Sequence, residues 1–256
     1  MSSVCCQDQS FRDPGSVFRA SARTRNRRCG GSTNTTATAT VCPPPLPPAT
    51  VTRTVVVDSI TDIGTSQVTL PEFTTTVAIT VTGGGGAGGG ADTTTGGGGG
   101  GAGGGISAIL HLPCNASEAA RTLLVTVGAG GVGGVANGGA GGTSQVDLSN
   151  GLFLQANGGA GGLAAGAGGA GGNASTSNPF DQPDVVELLC VQVNGTRSGR
   201  AADPTSQPGR AGVAADIEFF GFGGDGGGAG PLPGPGQDGN QGRVCLTYEF
   251  IQVLPR

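Results

Sequence analysis

The chain has 256 residues, a net charge of −4, and 54 glycines against nine Phe, one Tyr and no Trp. Large side chains are too scarce to fill a hydrophobic core along the whole length, so either much of the chain is disordered or something besides side-chain burial holds it. All 13 basic residues are arginine, which excludes a Walker-type phosphate loop because that motif needs lysine.

Residues 1–50 read as a disordered arm and linker, basic and rich in Arg, Ser, Thr and Pro. Six arginines there face only Asp8 and Asp13, whereas the rest of the chain holds seven arginines against 15 acids. The cluster Arg23, Arg25, Arg27 and Arg28 is the part of the arm able to touch nucleic acid, a membrane face or an acidic partner. The prolines of "PPPLPP", 43–48, predict a stiff, extended spacer before the body. The start, "MSSVCCQDQSFRDPG", lacks the apolar core of a secretory signal, and no apolar run is long enough for a membrane span.

Residues 51–256 read as one domain in which two textures alternate. The first is strand-like. Runs fall at 53–57, 66–82, 106–112, 122–127, 144–156 (two short runs), 185–193, 215–222 and 243–254. Val77, Ile79 and Val81 alternate with Thr76, Ala78, Thr80 and Thr82; Val244, Leu246, Tyr248 and Phe250 alternate with Cys245, Thr247, Glu249 and Ile251. A period of two in short runs predicts an all-β body of antiparallel strands in a sandwich-like arrangement. The one helix-like piece is "NASEAAR", 115–121, with Asn115 as a candidate cap; a turn would serve equally.

The second texture is glycine, in tracts 83–105, 128–142, 157–172 and 221–242, each attached to a strand-like run. Gly128 to Gly133 spell G-x-G-x-x-G after a candidate strand, and Asp147 follows, which outlines a dinucleotide fingerprint. That site needs a helix after its glycines, to bring an N-terminus to the pyrophosphate. Residues 134–142 hold five glycines and an asparagine and cannot supply one, since glycine costs about 1 kcal/mol per helical position. The alternative is a packed bundle of polyglycine II-type helices. Without side chains, backbones approach closely and satisfy one another's N–H and C=O groups. On this reading the natural partner of Gly128–Gly133 is another glycine segment.

Seven cysteines, at 5, 6, 29, 42, 114, 190 and 245, leave at least one without an intrachain partner. Neither C-x-x-C nor a zinc-ligand spacing occurs, and His111 is the only histidine, so no metal site is expected. Cys114, Cys190 and Cys245 fall in or beside strands and read as core thiols, with a disulfide between two of them left open. Acid–base chemistry would have to draw on Asp181, Asp184 and Glu187, on Asp216 and Glu218, or on His111, which sits in a plain strand position. No catalytic, cofactor-binding or metal-binding residue is assigned, and the chain is not expected to be an enzyme. A lectin-like site would have to use Phe219, Phe220, Phe222, Tyr248, Asp216 and Glu218, with Phe219 the better core residue. Exposure points to 91–95 ("ADTTT") and 194–212 as candidate loops.

Three stretches carry a family resemblance: "SQVTLPEFTTTVAITVTGGGGAGGG" (66–90), "LLVTVGAGGVGG…NGGAGGTSQV" (123–146) and "GQDGNQGRVCLTYEF" (236–250). Their order resembles the glycine-rich domain family of bacteriophage tail-fibre and adhesin proteins and of related viral or bacterial proteins. The chain departs from it in lacking an aromatic before the first glycine tract, in the irregular segment 176–215 and in the basic arm. The resemblance implies a virion or fibre-like structural or surface-attachment protein whose glycine scaffold presents loops. The alternatives are a carbohydrate- or partner-binding module and a virion protein that contacts nucleic acid through its arm. It also implies self-association, a trimer among the options, and a surface glycan or protein as partner; from the residues, no membrane and no cofactor are expected, and no nucleic acid except through the arm. The expected location is the virion or host cytoplasm, with surface exposure left open.

Overall fold

A computed structural model of the chain describes residues 51–113, 116–148, 151–176, 187–194, 198–200, 208–212, 221–229 and 231–253. Ten strands occupy them: β1 (Val51–Ile60), β2 (Gly64–Thr69), β3 (Thr76–Thr82), β4 (Gly105–His111), β5 (Thr122–Val127), β6 (Ser144–Leu148), β7 (Phe153–Ala156), β8 (Ala174–Thr176), β9 (Glu187–Asn194) and β10 (Arg243–Val253). They form two antiparallel sheets, ordered β1-β10-β3-β4-β9 and β2-β5-β6-β7-β8. The fold is all-β, as the period-two runs predict.

The sheets pack face to face through the predicted inward rows. Val77, Ile79 and Val81 of β3, Ile106 and Leu110 of β4, and Val244 and Leu246 of β10 meet Leu123, Val125 and Val127 of β5, Val146 of β6 and Leu154 of β7. Each fully buried aliphatic side chain contributes roughly 1.5–3 kcal/mol. The small supply of large residues is therefore concentrated in this one layer. Cys245 departs from simple alternation. It lies on the outer face of β10 and is nevertheless buried. Cys114 and the side chain of Cys190 lie outside the described residues.

The single run 66–82 divides into two strands on different sheets. Pro71 lacks the N–H a continuing strand needs, and Thr74 N and Oγ1 both donate to its carbonyl oxygen, at 3.4 and 2.9 Å. Phe73 takes φ 62° in the resulting turn. The helix-like piece is one 3₁₀ turn, Ala119–Arg121; Ser117 Oγ accepts the Ala120 N–H there, and Asn115 lies outside the described residues. β8 has no counterpart among the sequence-based strands, because three residues are too few to show a period. Most of the run at 215–222 lies outside the described residues; Gly221 and Phe222 are not in a strand.

The sandwich places the glycine. β3 runs directly into residue 83 and β4 begins where that tract ends; β5 and β6 flank 128–143, and β7 and β8 flank 157–173. Three hairpins thus continue past their sheets as glycine hairpins. β10 leads out of a fourth tract at Arg243. Val51 pairs with Val253, and Ile60 with Val244. The described chain therefore begins and ends at the pole of the sandwich remote from the glycine.

Candidate functional site

The glycine segments form a bundle held by backbone hydrogen bonds. Every N–H from Gly83 to Ala91 donates, and the acceptors recur with a period of three. Gly83, Gly86 and Gly89 donate to Gly104, Gly101 and Gly98; Gly84, Ala87 and Gly90 donate to Gly142, Gly139 and Ala136; Gly85, Gly88 and Ala91 donate to Asn240, Gln237 and Gly234. The carbonyls turn to other segments. Gly84, Ala87 and Gly90 accept from Gly159, Gly162 and Ala165; Gly85 accepts from Gly131; Gly86 and Gly89 accept from Gly224 and Gly227. Residues 83–91 are thus enclosed by six segments, three antiparallel and three parallel. Residues 97–104 are enclosed in the same way, by 83–89, 157–163, 169–172, Arg200, 209–212 and 221–227.

Glycine is required here because the backbones touch. A Cβ at Gly85 would point into the Phe222 carbonyl oxygen, and one at Gly100 into that of Gly86. In the outer segments, non-glycine side chains mark directions in which no segment lies. Val132, Val135, Asn137, Ala140, Ala160, Leu163, Ala167, Ala170 and Asn173 are all exposed, and successive ones in a segment stand three residues apart. The outer segments therefore read G-G-x. At 236–242 a Cβ at Gly236, Gly239 or Gly242 would run into neighbouring atoms, and the segment reads G-x-x. The number of glycines per triplet follows the number of neighbours. This triplet signal was present in the sequence, where the absence of a proline-bearing G-x-y repeat obscured it. Ala87 and Ala102 lie buried inside the two central segments, and no physical reason for alanine at those two points is evident.

The fingerprint glycines sit in this bundle. Gly131 donates to Gly85, Gly128 N donates to Ser144 Oγ at 3.0 Å, and Gly133 N donates to Asp238 Oδ1. Residues 134–142 reverse direction and return as the segment that accepts from Gly84, Ala87 and Gly90. Asp147 lies on β6 and accepts from the Gln145 side chain.

At the end of the bundle away from the sandwich, the hairpin tips join into one surface. Gly90 donates to Ala136 O and accepts from Ala165 N; Ala164 N donates to Asn137 Oδ1, and Ala91 N to Gly234 O. The tip at 92–95 is closed by Asp92, whose Oδ1 accepts from Thr94 N, Thr94 Oγ1 and Thr95 N. The Thr94 and Thr95 N–H groups hold that carboxyl below its ordinary value. Ala165 adopts φ 45°, a strained left-handed conformation, at the tip of another hairpin. Val135 (80 % exposed), Leu163 (49 %) and Leu232 (91 %) project from three different tips.

Of the candidate loops, 91–95 is at this surface. Within 194–212 the described residues correct the loop reading: Arg200, Gly209 and Gly212 are bonded into the bundle, while 195–197 and 201–207 lie outside the described residues. The tips at 135–137, 163–166, 228–229 and 231–234 escaped the sequence reading, although Asn137-Gly138 and Pro233-Gly234 are turn-type dipeptides. His111 is half-buried on β4, opposite Thr76 and Glu187 in register. Tyr248 is buried and its hydroxyl donates to Asp58 Oδ2 at 3.1 Å. Phe222 is half-buried within a glycine segment. Asp181, Asp184, Asp216, Glu218, Phe219 and Phe220 lie outside the described residues. Among the described residues no three of His, Cys, Asp and Glu gather where a metal ion could be held, and no helix is long and apolar enough to cross a membrane.

An all-β sandwich continued by a bundle of glycine segments defines the class: a glycine-scaffold protein. A family model described as a glycine-rich domain matches residues 60–244, which covers every glycine tract, the whole second sheet and strands β3, β4 and β9 of the first, and the chain belongs to that family. No curated protein matches the chain.

Proposed function

We propose that the chain is a structural, surface-attachment protein, fibre-like or part of a virion, in which the glycine bundle is a rigid spacer and its joined tips are the contact surface. The observation that supports this is polarity: the hairpin tips gather at one pole, and the described chain begins and ends at the other. A partner bound to the arm side and a partner bound to the tips would be held apart. The three-residue hydrogen-bond period is that of a polyproline II-type helix, so the segments are read as polyglycine II. At about 3 Å per residue a nine-residue segment spans roughly 28 Å. Loops on a rigid scaffold are the usual seat of recognition.

The test is binding of the full chain to glycan arrays and to intact cell or particle surfaces. Binding lost on replacing the tips Thr93, Thr94 and Val135, and kept on deleting residues 1–50, supports the reading. Binding that follows the arm overturns it in favour of an arm-borne contact, and salt-dependent capture of nucleic acid by the arm would be its signature.

A further inference from the structure

β1 lies at the outer edge of its sheet. One side pairs with β10 along all ten residues in unbroken register, and among the described residues no strand pairs with the other side. Outward-facing N–H and C=O groups thus run along an edge of roughly 34 Å. Proteins protect such edges with lysine, proline, bulges, inward charges or shortness. Two of the remaining edges show such devices: β8 has three residues, and β9 meets its neighbour through a register shift between Ser107 and Ile109. β1 shows none. It has no proline, and its single acid, Asp58, is drawn onto the neighbouring strand by Tyr248. Val55 and Val57, on its outer face, are 63 % and 50 % exposed.

We propose that this edge pairs with β1 of a second copy, antiparallel about a two-fold axis perpendicular to the sheet. Such an axis keeps outer face with outer face, so only registers pairing odd positions with odd positions are allowed. The register centred on Val56 sets Val55 of each copy opposite Val57 of the other and gathers four valines into one apolar patch. It also sets Asp58 opposite Thr54, so no like charges meet. The register centred on Val55 instead sets Val57 opposite Arg53, which breaks the patch. A foreign strand would satisfy the same backbone groups, but the two-fold valine patch needs this chain's own strand. The contact is narrow beside the roughly 800 Å² per partner of a standard stable interface, so the dimer dissociates on dilution. Antiparallel pairing also sends the two glycine bundles to opposite ends, giving a particle with a tip surface at each pole.

The experiment is sedimentation velocity of the full chain over a dilution series in reducing buffer, with small-angle scattering of the dimer. A concentration-dependent, elongated dimer is expected. Val55→Lys alone and Val57→Glu alone should each give monomer with an unchanged melting temperature. The double variant Val55→Lys/Val57→Glu should recover the dimer, because in the Val56-centred register each introduced ammonium faces an introduced carboxylate. A chain that is monomeric at every concentration, a compact dimer or trimer, or a dimer that survives both single variants overturns the proposal. A double variant that folds and stays monomeric overturns the register.

Discussion

If backbone contact rather than flexibility explains the glycine, then Gly86→Ala should be costly while Gly134→Ala should not. A Cβ at Gly86 would stand 2.1 Å from the Ala160 carbonyl oxygen and 2.8 Å from that of Gly159. Both obstacles are backbone, so no side chain can turn away. Relief requires residues 157–163 to move out by about 1 Å, a contact distance beyond 3 Å being needed. That shift strains the bonds Gly159→Gly84, Gly162→Ala87 and Gly101→Ala160, now 2.8–2.9 Å long. At about 1 kcal/mol net for each bond, the loss is about 3 kcal/mol. Removing a glycine from the unfolded chain returns roughly 0.4–1 kcal/mol. The net expectation is about 2–3 kcal/mol of destabilisation, or roughly 5–10 °C in melting temperature for a domain of this size. At Gly134 a Cβ meets nothing within 4 Å, so only the unfolded-state term remains and stability should be equal or slightly higher. Thermal and urea unfolding of the two variants beside the parent is the assay. Equal stability of Gly86→Ala and parent, or equal damage from both substitutions, would refute the close-contact account.

Ser144→Ala should cost about 1–3 kcal/mol in urea unfolding, because the buried hydroxyl accepts the Gly128 N–H and no water can replace it. Tyr248, the only tyrosine, has its phenol pushed above the ordinary value of 10.0 by burial first and by the Asp58 carboxylate second. The folded state then holds the proton more tightly than the unfolded one, so stability is full below pH 10.0 and falls as the pH rises beyond it. Phenolate absorbance should titrate late in the native protein, and Tyr248→Phe should flatten the alkaline limb of the stability curve. Asp92→Ala should speed amide exchange at Thr94 and Thr95 while leaving the melting temperature nearly unchanged. In the parent the same two amides should lose protection only as the pH falls below 3.8, since the carboxyl is held below that value.

Sequence determined the strands of the body, since Val77, Ile79 and Val81 or Val244, Leu246 and Tyr248 record burial directly in a period of two. It also determined that residues 134–142 form no helix of the kind a dinucleotide fingerprint needs, because five glycines follow Gly133. The G-G-x rows were equally written there, at Val132 and Val135 or Ala160 and Leu163, since a side chain fits only where no segment lies. Tertiary structure alone decided which segments are neighbours. Glycine presents the same backbone on every side, so nothing local tells Gly84 to donate to Gly142, or Gly85 to Asn240. Those choices follow from the sandwich, which holds the base of each hairpin and so fixes where its glycines run. The joined hairpin tips are the clearest case: residues 91–95, 135–137, 163–166, 228–229 and 231–234 are scattered along the chain, and only their shared distance from the sheets brings them together.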